Sequence, residues 1–322
     1  MKAIKFVARA VALASLAASG TAFAAFPDKP VTIVVPYPAG GATDVIARLI
    51  AEQLPAKWNQ PVVVRNQPGA GTTVAAEAVS REKGDGYTLY MTTAAHTISA
   101  SLYKNLRYDP IKDFKPITLV STIPLVLVTP PSLEPKNLKE LVSAVKASKE
   151  GMTIASTGNG TPQHLTGELF KSKQNLNLVH IPYRGDAPMI TDLLGGQVQM
   201  AFVTLSAAVA NIQAGKLKPI ALAHSKRVDA IADVPTFAEA GMPDFEAATW
   251  FGLFAPASIP DDLRQKIYKD VSEIVAKPEI TQRLVSMGGE VNNSSPEQFQ
   301  AFIDKEAKNW AEAVKISGAS VD

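Results

Sequence analysis

The sequence predicts an α/β protein with two domains and mainly parallel sheets. Short apolar runs rich in β-branched residues alternate along the chain with stretches of helical periodicity, as in βα-repeating folds. With 322 residues, 46% of them apolar, the chain is long enough for two packed cores. It has no low-complexity linker and no internal repeat. Two domains without a linker indicate that the chain crosses between them more than once.

The first 24 residues have the pattern of a signal peptide. Lys2, Lys5 and Arg9 form a positive region, an apolar stretch covers residues 11–18, and a small-x-small site predicts cleavage between Ala24 and Ala25. The apolar stretch is shorter than the roughly 20 residues of a membrane span. We therefore expect a secreted mature chain, free in an extracytoplasmic compartment.

Composition excludes several classes of function. Without the three basic residues of the signal, the chain keeps 29 basic and 30 acidic residues, a formal charge of −1. This balance predicts no nucleic-acid surface. The absence of cysteine excludes disulfides, thiolate metal sites and cysteine nucleophiles, and the four scattered histidines suggest no metal set. We expect no metal and no cofactor.

The first strand leads into a glycine turn that predicts an anion site. Residues 31–35 read as a buried strand, Pro36 and Pro38 end it, and Gly40 and Gly41 allow positive φ and close approach of a ligand. The pattern then becomes helical. A helix that starts after such a turn presents unpaired N–H groups and the positive end of its dipole. The alternative is an ordinary βα connection.

Two further strands end near the same edge of the predicted sheet. The strand at 61–64 leads to Gly69-Ala70-Gly71, and the strand at 86–91 leads to Thr93 and His96. The first of these lacks the third glycine of a dinucleotide fingerprint, because residue 74 is valine, so we expect no nicotinamide. Ligands of open α/β sheets bind at such strand ends.

A second turn of the same kind is predicted in the other domain. The strand at 125–128 is the expected first crossing, and the strand at 152–155 opens into residues 156–165. There Ser156, Thr157 and Thr161 offer hydroxyl donors, and Pro162 suits the first turn of a helix. The later predicted strands lie at 178–182, 200–203, 219–223 and 251–256, and the later helices at 188–194, 206–214, 261–276 and 296–314. The return crossing is expected at 251–256. Lobe 1 is thus predicted to contain residues 25–125 and 250–322, and lobe 2 residues 126–249.

Seven short motifs, taken in order, resemble the substrate-binding proteins of tripartite tricarboxylate transporters, the Bug family. They are Pro36-Tyr37-Pro38-Ala39-Gly40-Gly41 with Asp44, Asn66-Gln67-Pro68-Gly69-Ala70-Gly71, Asp85-Gly86-Tyr87-Thr88-Leu89, Tyr108-Asp109-Pro110 with Asp113-Phe114, Gly158-Asn159-Gly160-Thr161 with His164-Leu165, Tyr183-Arg184-Gly185, and Val234-Pro235-Thr236 with Glu239-Ala240-Gly241. The resemblance covers nearly all of the mature chain.

The resemblance implies a two-lobed periplasmic binding protein of type II, the Venus-flytrap fold, with a ligand cleft between the lobes. It implies a carboxylate held by backbone N–H groups, hydroxyls and water, together with a periplasmic location, a monomer and membrane permease subunits as partners. The expected ligand-binding residues are Tyr37, Ala39, Gly40, Gly41, Thr43, Ala70, Thr93, His96, Ser156, Thr157, Gly160, Thr161, His164, Arg184, Gly185, Phe202 and Thr204. Asp44, three residues into its helix, is expected to act as a structural cap.

Some of these residues have a second interpretation. Tyr37 forms either a wall of the pocket or part of the packing, and His96 and His164 bind either ligand or other protein groups. Arg184 faces the ligand or forms a surface pair with Asp186. The family commonly has Asp-Asn or Asp-Ser where this chain has Val203-Thr204, which favours a less polar or aromatic carboxylate here.

Three function classes follow, all without nucleic acid. The first is a receptor that captures a di- or tricarboxylate, an acidic amino acid or an aromatic acid for a membrane transporter. The second is a sensor subunit that presents the ligand to a signalling partner. The third is a periplasmic enzyme, which would need a base near His96 or His164. For the receptor we expect no catalysis, and closure of the lobes on the ligand as a shift of population.

Overall fold

A computed structural model describes residues 26–319 and residue 321 of the chain. The predicted signal peptide lies outside the described residues. Within the described part, no helix combines the length and the apolar character that crossing a membrane requires.

Strands and helices alternate, as the sequence predicts. The strands are Val31–Val35 (β1), Val62–Asn66 (β2), Thr88–Thr93 (β3), Phe114–Thr129 (β4), Met152–Ser156 (β5), Leu178–Pro182 (β6), Met200–Thr204 (β7), Lys218–Leu222 (β8), Ala248–Pro256 (β9) and Glu290–Val291 (β10). The helices are Ala42–Ala51 (α1), Pro55–Trp58 (α2), Thr73–Ser80 (α3), Ala95–Leu102 (α4), Leu138–Ala147 (α5), Pro162–Gln174 (α6), Asp186–Leu194 (α7), Leu205–Gln213 (α8), Asp261–Val275 (α9), Pro278–Ser286 (α10) and Pro296–Ser317 (α11).

Each lobe is built on parallel strands. In lobe 1, β1 lies between β2 and β3 and is parallel to both, and in lobe 2, β5 lies between β6 and β7 and is parallel to both. Antiparallel strands are added where the chain crosses: β9 pairs with β3, and β4 pairs with β9, β7, β8 and β10. Through β4 the two predicted sheets form one continuous set of 10 strands. The predicted α/β fold with two lobes is confirmed.

Strand β4 is much longer than the predicted strand at 125–128. It has 16 residues; its first part pairs with β9 as far as Pro124, and its second part pairs with β7 from Leu125. Two prolines in its first part interrupt the sequence pattern of a strand, so this part was not predicted. Pro116 lies beside a register shift, and Pro124 lies where the pairing changes from one lobe to the other. A sheet tolerates a missing N–H at such positions.

Aromatic rings fill the core of each lobe. In lobe 2, Phe170, Phe202 and Phe237 pack together with ring centroids about 6 Å apart. In lobe 1, Trp250 and Phe254 of β9 pack against Phe299 of α11. Helix α11 also packs on α4 of lobe 1 and α6 of lobe 2, so it spans both lobes.

Candidate functional site

A narrow cleft of about 420 Å³ lies between the lobes, at the ends of β1, β3 and β7 and beside β9. It is lined by Tyr37, Pro38, Ala39, Gly41, Ala42, Thr43, Thr93, Thr157, Gln163, Gly185, Asp186, Ala187, Thr204, Thr249 and Phe251. A more open cavity of about 850 Å³ adjoins it and shares Tyr37, Pro38 and Thr157 with it. The strand ends of both lobes therefore meet at one cleft, as expected for open α/β sheets.

The turn after β1 forms the lobe 1 wall. Gly40 has φ +90°, a conformation that favours glycine, and its N–H donates to Asp44 Oδ2 at 3.0 Å. Gly41 is the N-cap of α1 with an ordinary φ of −80° and no side-chain cap. A Cβ on Gly41 would lie 3.2 Å from Asp186 Oδ2 across the cleft. Gly40 is thus favoured for its backbone conformation, whereas a side chain at position 41 would crowd Asp186 of the other lobe.

Asp44 holds this turn together from inside lobe 1. Its carboxylate accepts hydrogen bonds from Gly40 N, from Arg48 Nε at 3.0 Å and from Asn66 Nδ2 at 2.9 Å. Burial alone would raise the pKa of Asp44, but the hydrogen bonds from Arg48, Gly40 and Asn66 outweigh it and lower that pKa below its usual value. The residue therefore stays charged while it fixes the turn, and it does not line the cleft.

Tyr37 and Thr93 form a neutral pair in the lobe 1 wall. The Tyr37 hydroxyl lies 2.8 Å from Thr93 Oγ1, and burial raises the pKa of the tyrosine well above its usual value. Both groups are therefore uncharged hydrogen-bonding groups. They lie next to the start of α1, where an anion would benefit from the helix dipole.

Lobe 2 supplies two threonines, an amide and two helix starts. Gln163 Nε2 donates to Thr204 Oγ1 at 3.0 Å, and both residues line the cleft with Thr157. Helix α7 begins after Gly185 and helix α8 after Thr204, and neither of these N-caps has a side-chain cap. At neither helix does the side chain of the N-cap residue accept a hydrogen bond from the first backbone N–H groups.

The predicted second turn, residues 156–165, uses most of its polar groups internally. Ser156 Oγ lies 2.6 Å from His180 Nε2, and Thr161 caps α6 by accepting from His164 N at 3.3 Å. Gly160 N donates to His164 Nδ1 at 3.2 Å. These residues surround Thr157 but are not among the residues that line the cleft.

The histidines of this turn are neutral. His164 and His180 stack with ring centroids 4.1 Å apart. Burial lowers the pKa of His164 to about 4, with a smaller effect from Lys171, and burial followed by His164 lowers that of His180 to about 3. At neutral pH the pair carries no charge toward a ligand.

Two predicted residues lie in the cores and two at the adjoining cavity. His96 is buried between Phe114 and Phe254, and burial lowers its pKa to about 4. Phe202 is fully buried in the aromatic cluster of lobe 2. Ala70 and Arg184 line the adjoining cavity and not the narrow cleft. Of the expected residues, the structure places Tyr37, Ala39, Gly41, Thr43, Thr93, Thr157, Gly185 and Thr204 together in the cleft.

Seven lining residues were not predicted from the sequence: Pro38, Ala42, Gln163, Asp186, Ala187, Thr249 and Phe251. Among the described residues, no ion pair joins Asp186 to Arg184, because Asp186 points into the cleft while Arg184 is exposed. The available signal was the position of Asp186 as the first residue of a helix that starts after glycine. Thr249 and Phe251 lie at the return crossing that the sequence predicts at 251–256, but their orientation toward the cleft depends on the pairing of β9 with β3 and β4.

The lining offers neutral donors and no cation. Across the lining residues that the structure describes, Asp186 has the only charged side chain. Within residues 26–319, no three histidine, aspartate or glutamate side chains are placed to share a metal ion. Hydroxyls, an amide and helix N-termini can hold an anion without a cationic side chain.

Comparison with known proteins supports this picture. A family model for the receptor of the tripartite tricarboxylate transporter family matches residues 46–318. The chain is similar to the periplasmic binding protein BugD, with 36% identity, a TM-score of 0.88, and coverage of 92% of this chain and 99% of the other. The R. palustris protein Rpa4515, determined with adipate, is 31% identical with a TM-score of 0.88, and coverage is 92% and 99%. MatC from Rhodopseudomonas palustris, determined with bound malate, is 32% identical with a TM-score of 0.86, and coverage is 90% and 100%. The predicted periplasmic-binding-protein fold is therefore confirmed.

Proposed function

This chain belongs to the tripartite tricarboxylate transporter receptor family, and from that premise we propose that it captures a small carboxylate in the periplasm and delivers it to a membrane transporter. It is a solute-binding receptor by family. The resemblance to the Bug proteins, stated above from the motifs, is confirmed by the family match and by BugD.

The observation that carries the carboxylate proposal is the composition of the cleft. Thr43 and Thr93 from lobe 1 face Thr157, Gln163 and Thr204 from lobe 2. Both lobes also present the starts of helices that have no side-chain cap. Each helix terminus contributes about 0.3–1 kcal/mol to a bound anion, and up to about 2 kcal/mol when partly buried. Two similar proteins were determined with carboxylates, adipate and malate.

A thermal-shift panel tests the capture of a carboxylate. The mature protein is refolded without ligand and screened against di- and tricarboxylates, amino acids and aromatic acids. A true ligand at about 1,000 times its dissociation constant adds roughly 4 kcal/mol to stability, which raises Tm. Neutral sugars and simple amines serve as controls. If no acid raises Tm, the cleft does not bind carboxylates.

Delivery to a transporter is tested separately. Membrane vesicles that contain the permease subunits are incubated with a radiolabelled ligand from the panel, with and without the purified protein. Uptake that depends on the protein supports the transporter role. Capture of a signalling protein from membranes, without uptake, would support the sensor alternative.

The enzyme alternative has little support from the site. It needs a base near His96 or His164, and neither residue lines the cleft. Both have a lowered pKa because they are buried. Incubation of the best ligand with the protein, followed by analysis of the recovered ligand, is expected to return it unchanged.

A further inference from the structure

The carboxylate of Asp186, in lobe 2, lies beside the start of α1 in lobe 1. It is the first residue of α7, and its Oδ2 lies 3.2 Å from the position that a Cβ would take on Gly41. The backbone N–H of Ala42, at the first position of α1, donates a hydrogen bond to this carboxylate. The side chain therefore ends at the N-terminus of α1, where a ligand's carboxylate was expected.

The Asp186 carboxylate is only partly satisfied in this position. Although some of the residue remains accessible, its Oδ1 is buried and has no hydrogen-bond partner among the described residues. Burial raises the pKa of Asp186 to about 6, and the Ala42 N–H opposes this rise only in part. A buried acceptor without a donor is costly, and such groups normally have a partner. Oδ1 is therefore an acceptor that no described protein group uses.

No cationic side chain in the described lining of the cleft donates to Oδ1. Asp186 is the only charged side chain among the described lining residues, and the Tyr37 hydroxyl is paired with Thr93. Arg48 of α1 is held by Asp44 and Asn66. Arg184 is exposed, lines the adjoining cavity and forms no ion pair with Asp186 among the described residues. A ligand with carboxylates alone would set like charges against Asp186 with no cation between them.

Resting on the proposed function, we propose that Asp186 determines specificity by accepting a hydrogen bond from an ammonium group of the ligand. The cleft then takes amino carboxylates, which are zwitterions, in preference to dicarboxylates. An ammonium supplies both a donor for Asp186 and the opposite charge, and charge-assisted hydrogen bonds of this type are the stronger ones. The ligand's own carboxylate has Thr157, Thr204 and the uncapped helix starts of lobe 2 as donors.

This inference differs from the expectation drawn from Val203-Thr204. That expectation placed both positions beside the ligand, whereas the structure buries Val203 in the core and leaves only Thr204 in the cleft. However, a less polar or aromatic acid without an N–H group would leave Asp186 Oδ1 unpaired. The charge that selects the ligand lies on Asp186, 17 residues earlier than Val203 in the chain.

The test compares matched ligands on the wild-type protein by isothermal titration at pH 7.5. Each pair differs by exchange of one carboxylate for an ammonium: alanine with methylmalonate, β-alanine with succinate, and 4-aminobutyrate with glutarate. Benzoate is the aromatic probe. We expect at least one amino carboxylate to bind about tenfold or more tightly than its partner. This comparison requires no variant to fold.

Asp186→Asn then assigns the preference to this residue. We expect it to weaken binding of the preferred amino carboxylate about tenfold or more, while binding of the matched dicarboxylate is kept or improved. Asp192→Asn is the control, because Asp192 lies on the same helix, pairs with the Tyr183 hydroxyl at 2.8 Å and does not line the cleft. It removes the same charge and is expected to leave the preference unchanged. Circular dichroism checks that both variants are folded.

The outcomes separate this inference from the proposed function. If wild-type protein binds a dicarboxylate or benzoate as tightly as every amino carboxylate, the receptor proposal stands and the role of Asp186 is overturned. The same conclusion follows if Asp186→Asn and Asp192→Asn show the same preference as wild type. If no acid of any class binds wild type or Asp186→Asn, the receptor proposal fails, and this inference fails with it.

Discussion

Two carboxylates near one helix start show how local surroundings decide the charge of a residue. Asp44 and Asp186 both lie at the N-terminus of α1, one from inside lobe 1 and one from across the cleft. Asp44 has Arg48 and Asn66 as donors, and its pKa is lowered, whereas Asp186 has one backbone donor, and its pKa is raised. The first is thereby suited to structure and the second to contact with a ligand.

Gly41→Ala tests the close approach of the lobes. The residue has a φ that alanine adopts without strain, so the fold is expected to survive. The new Cβ would lie 3.2 Å from Asp186 Oδ2 and cover the start of α1. We expect affinity for the best panel ligand to fall about tenfold or more, with little change in Tm.

Gly195→Ala is the matched control for Gly41→Ala. Its φ is −77°, and a Cβ there would meet only ordinary contacts, the nearest at 3.5 Å from Thr191 O. This variant is expected to bind as wild type does. Normal binding by Gly41→Ala would mean that the ligand does not approach the start of α1.

Asp186→Asn should change how stability depends on pH. Because the pKa of Asp186 is about 6 in the folded protein and near 3.8 when exposed, the folded state binds more protons between these values. Its carboxylate therefore costs stability increasingly as pH rises from about 4 to 6, and fully above that range. The cost is on the order of 3 kcal/mol. Tyr37, the other titratable group in the lining, stays neutral because its pKa is raised.

The measurement is Tm of wild type and Asp186→Asn from pH 4 to pH 8, without ligand. We expect the variant to melt a few degrees higher at pH 8, and the difference to disappear toward pH 4. Asp192→Asn controls for the loss of one acidic residue from α7. A difference between Asp186→Asn and wild type that is independent of pH would contradict the burial of this carboxylate.

At the residue scale, the sequence predicts the location of side chains at strand ends better than that of side chains whose orientation depends on tertiary structure. Tyr37 and Thr93 follow β1 and β3 and line the cleft together. His96 follows the same strand, but helix α4 begins at Ala95 and turns the ring toward Phe114. For Asp186 the sequence offers only a possible surface pair with Arg184, because the direction of this side chain depends on how the two lobes meet, which no local pattern contains.

At the element scale, the turn after β1 was predictable because its signals are local. The β-branched run, the two prolines and the change to helical period all fall within 31–45. Strand β4 was not predictable at full length, since Pro116 and Pro124 are compatible with it only because of pairing with distant strands. The second turn was located correctly at β5 and α6, but its start is capped from within by Thr161.

Thr161→Ala tests whether that turn is a structural element or a ligand contact. Its hydroxyl accepts from His164 N and donates to Gly158 O at 2.8 Å. Loss of an N-cap of this type costs about 1 kcal/mol of stability. We expect urea unfolding to show this loss, with Thr161→Ser close to wild type. Ligand affinity should change much less than in Gly41→Ala, because Thr161 does not line the cleft; a larger loss of affinity than of stability would assign Thr161 to the ligand.

At the scale of the whole molecule, three elements connect the lobes. Strand β9 pairs with the first part of β4 as far as Pro124, and α11 packs on α4 and α6. Glu306 of α11 accepts hydrogen bonds from Trp250 Nε1 at 3.0 Å and from Trp310 Nε1 at 2.8 Å, which ties this helix to β9. Movement of one lobe against the other must therefore bend β4 and β9 beside the cleft.

The lobes also touch across the cleft, which allows a prediction about closure. The Tyr103 hydroxyl donates to Ala70 O at 3.1 Å and contacts Asn159 O of lobe 2, and Asp186 reaches Ala42. A ligand that binds donors on both lobes must favour this closed arrangement by the difference in its affinity for the two forms. We expect small-angle X-ray scattering to show a smaller radius of gyration when the best panel ligand is added.

Tyr103→Phe removes the contact to Asn159 without touching the narrow cleft, so it should weaken binding modestly and leave the compact ligand-bound form unchanged. If the ligand raises Tm while the scattering curve stays the same, the protein is already closed without ligand.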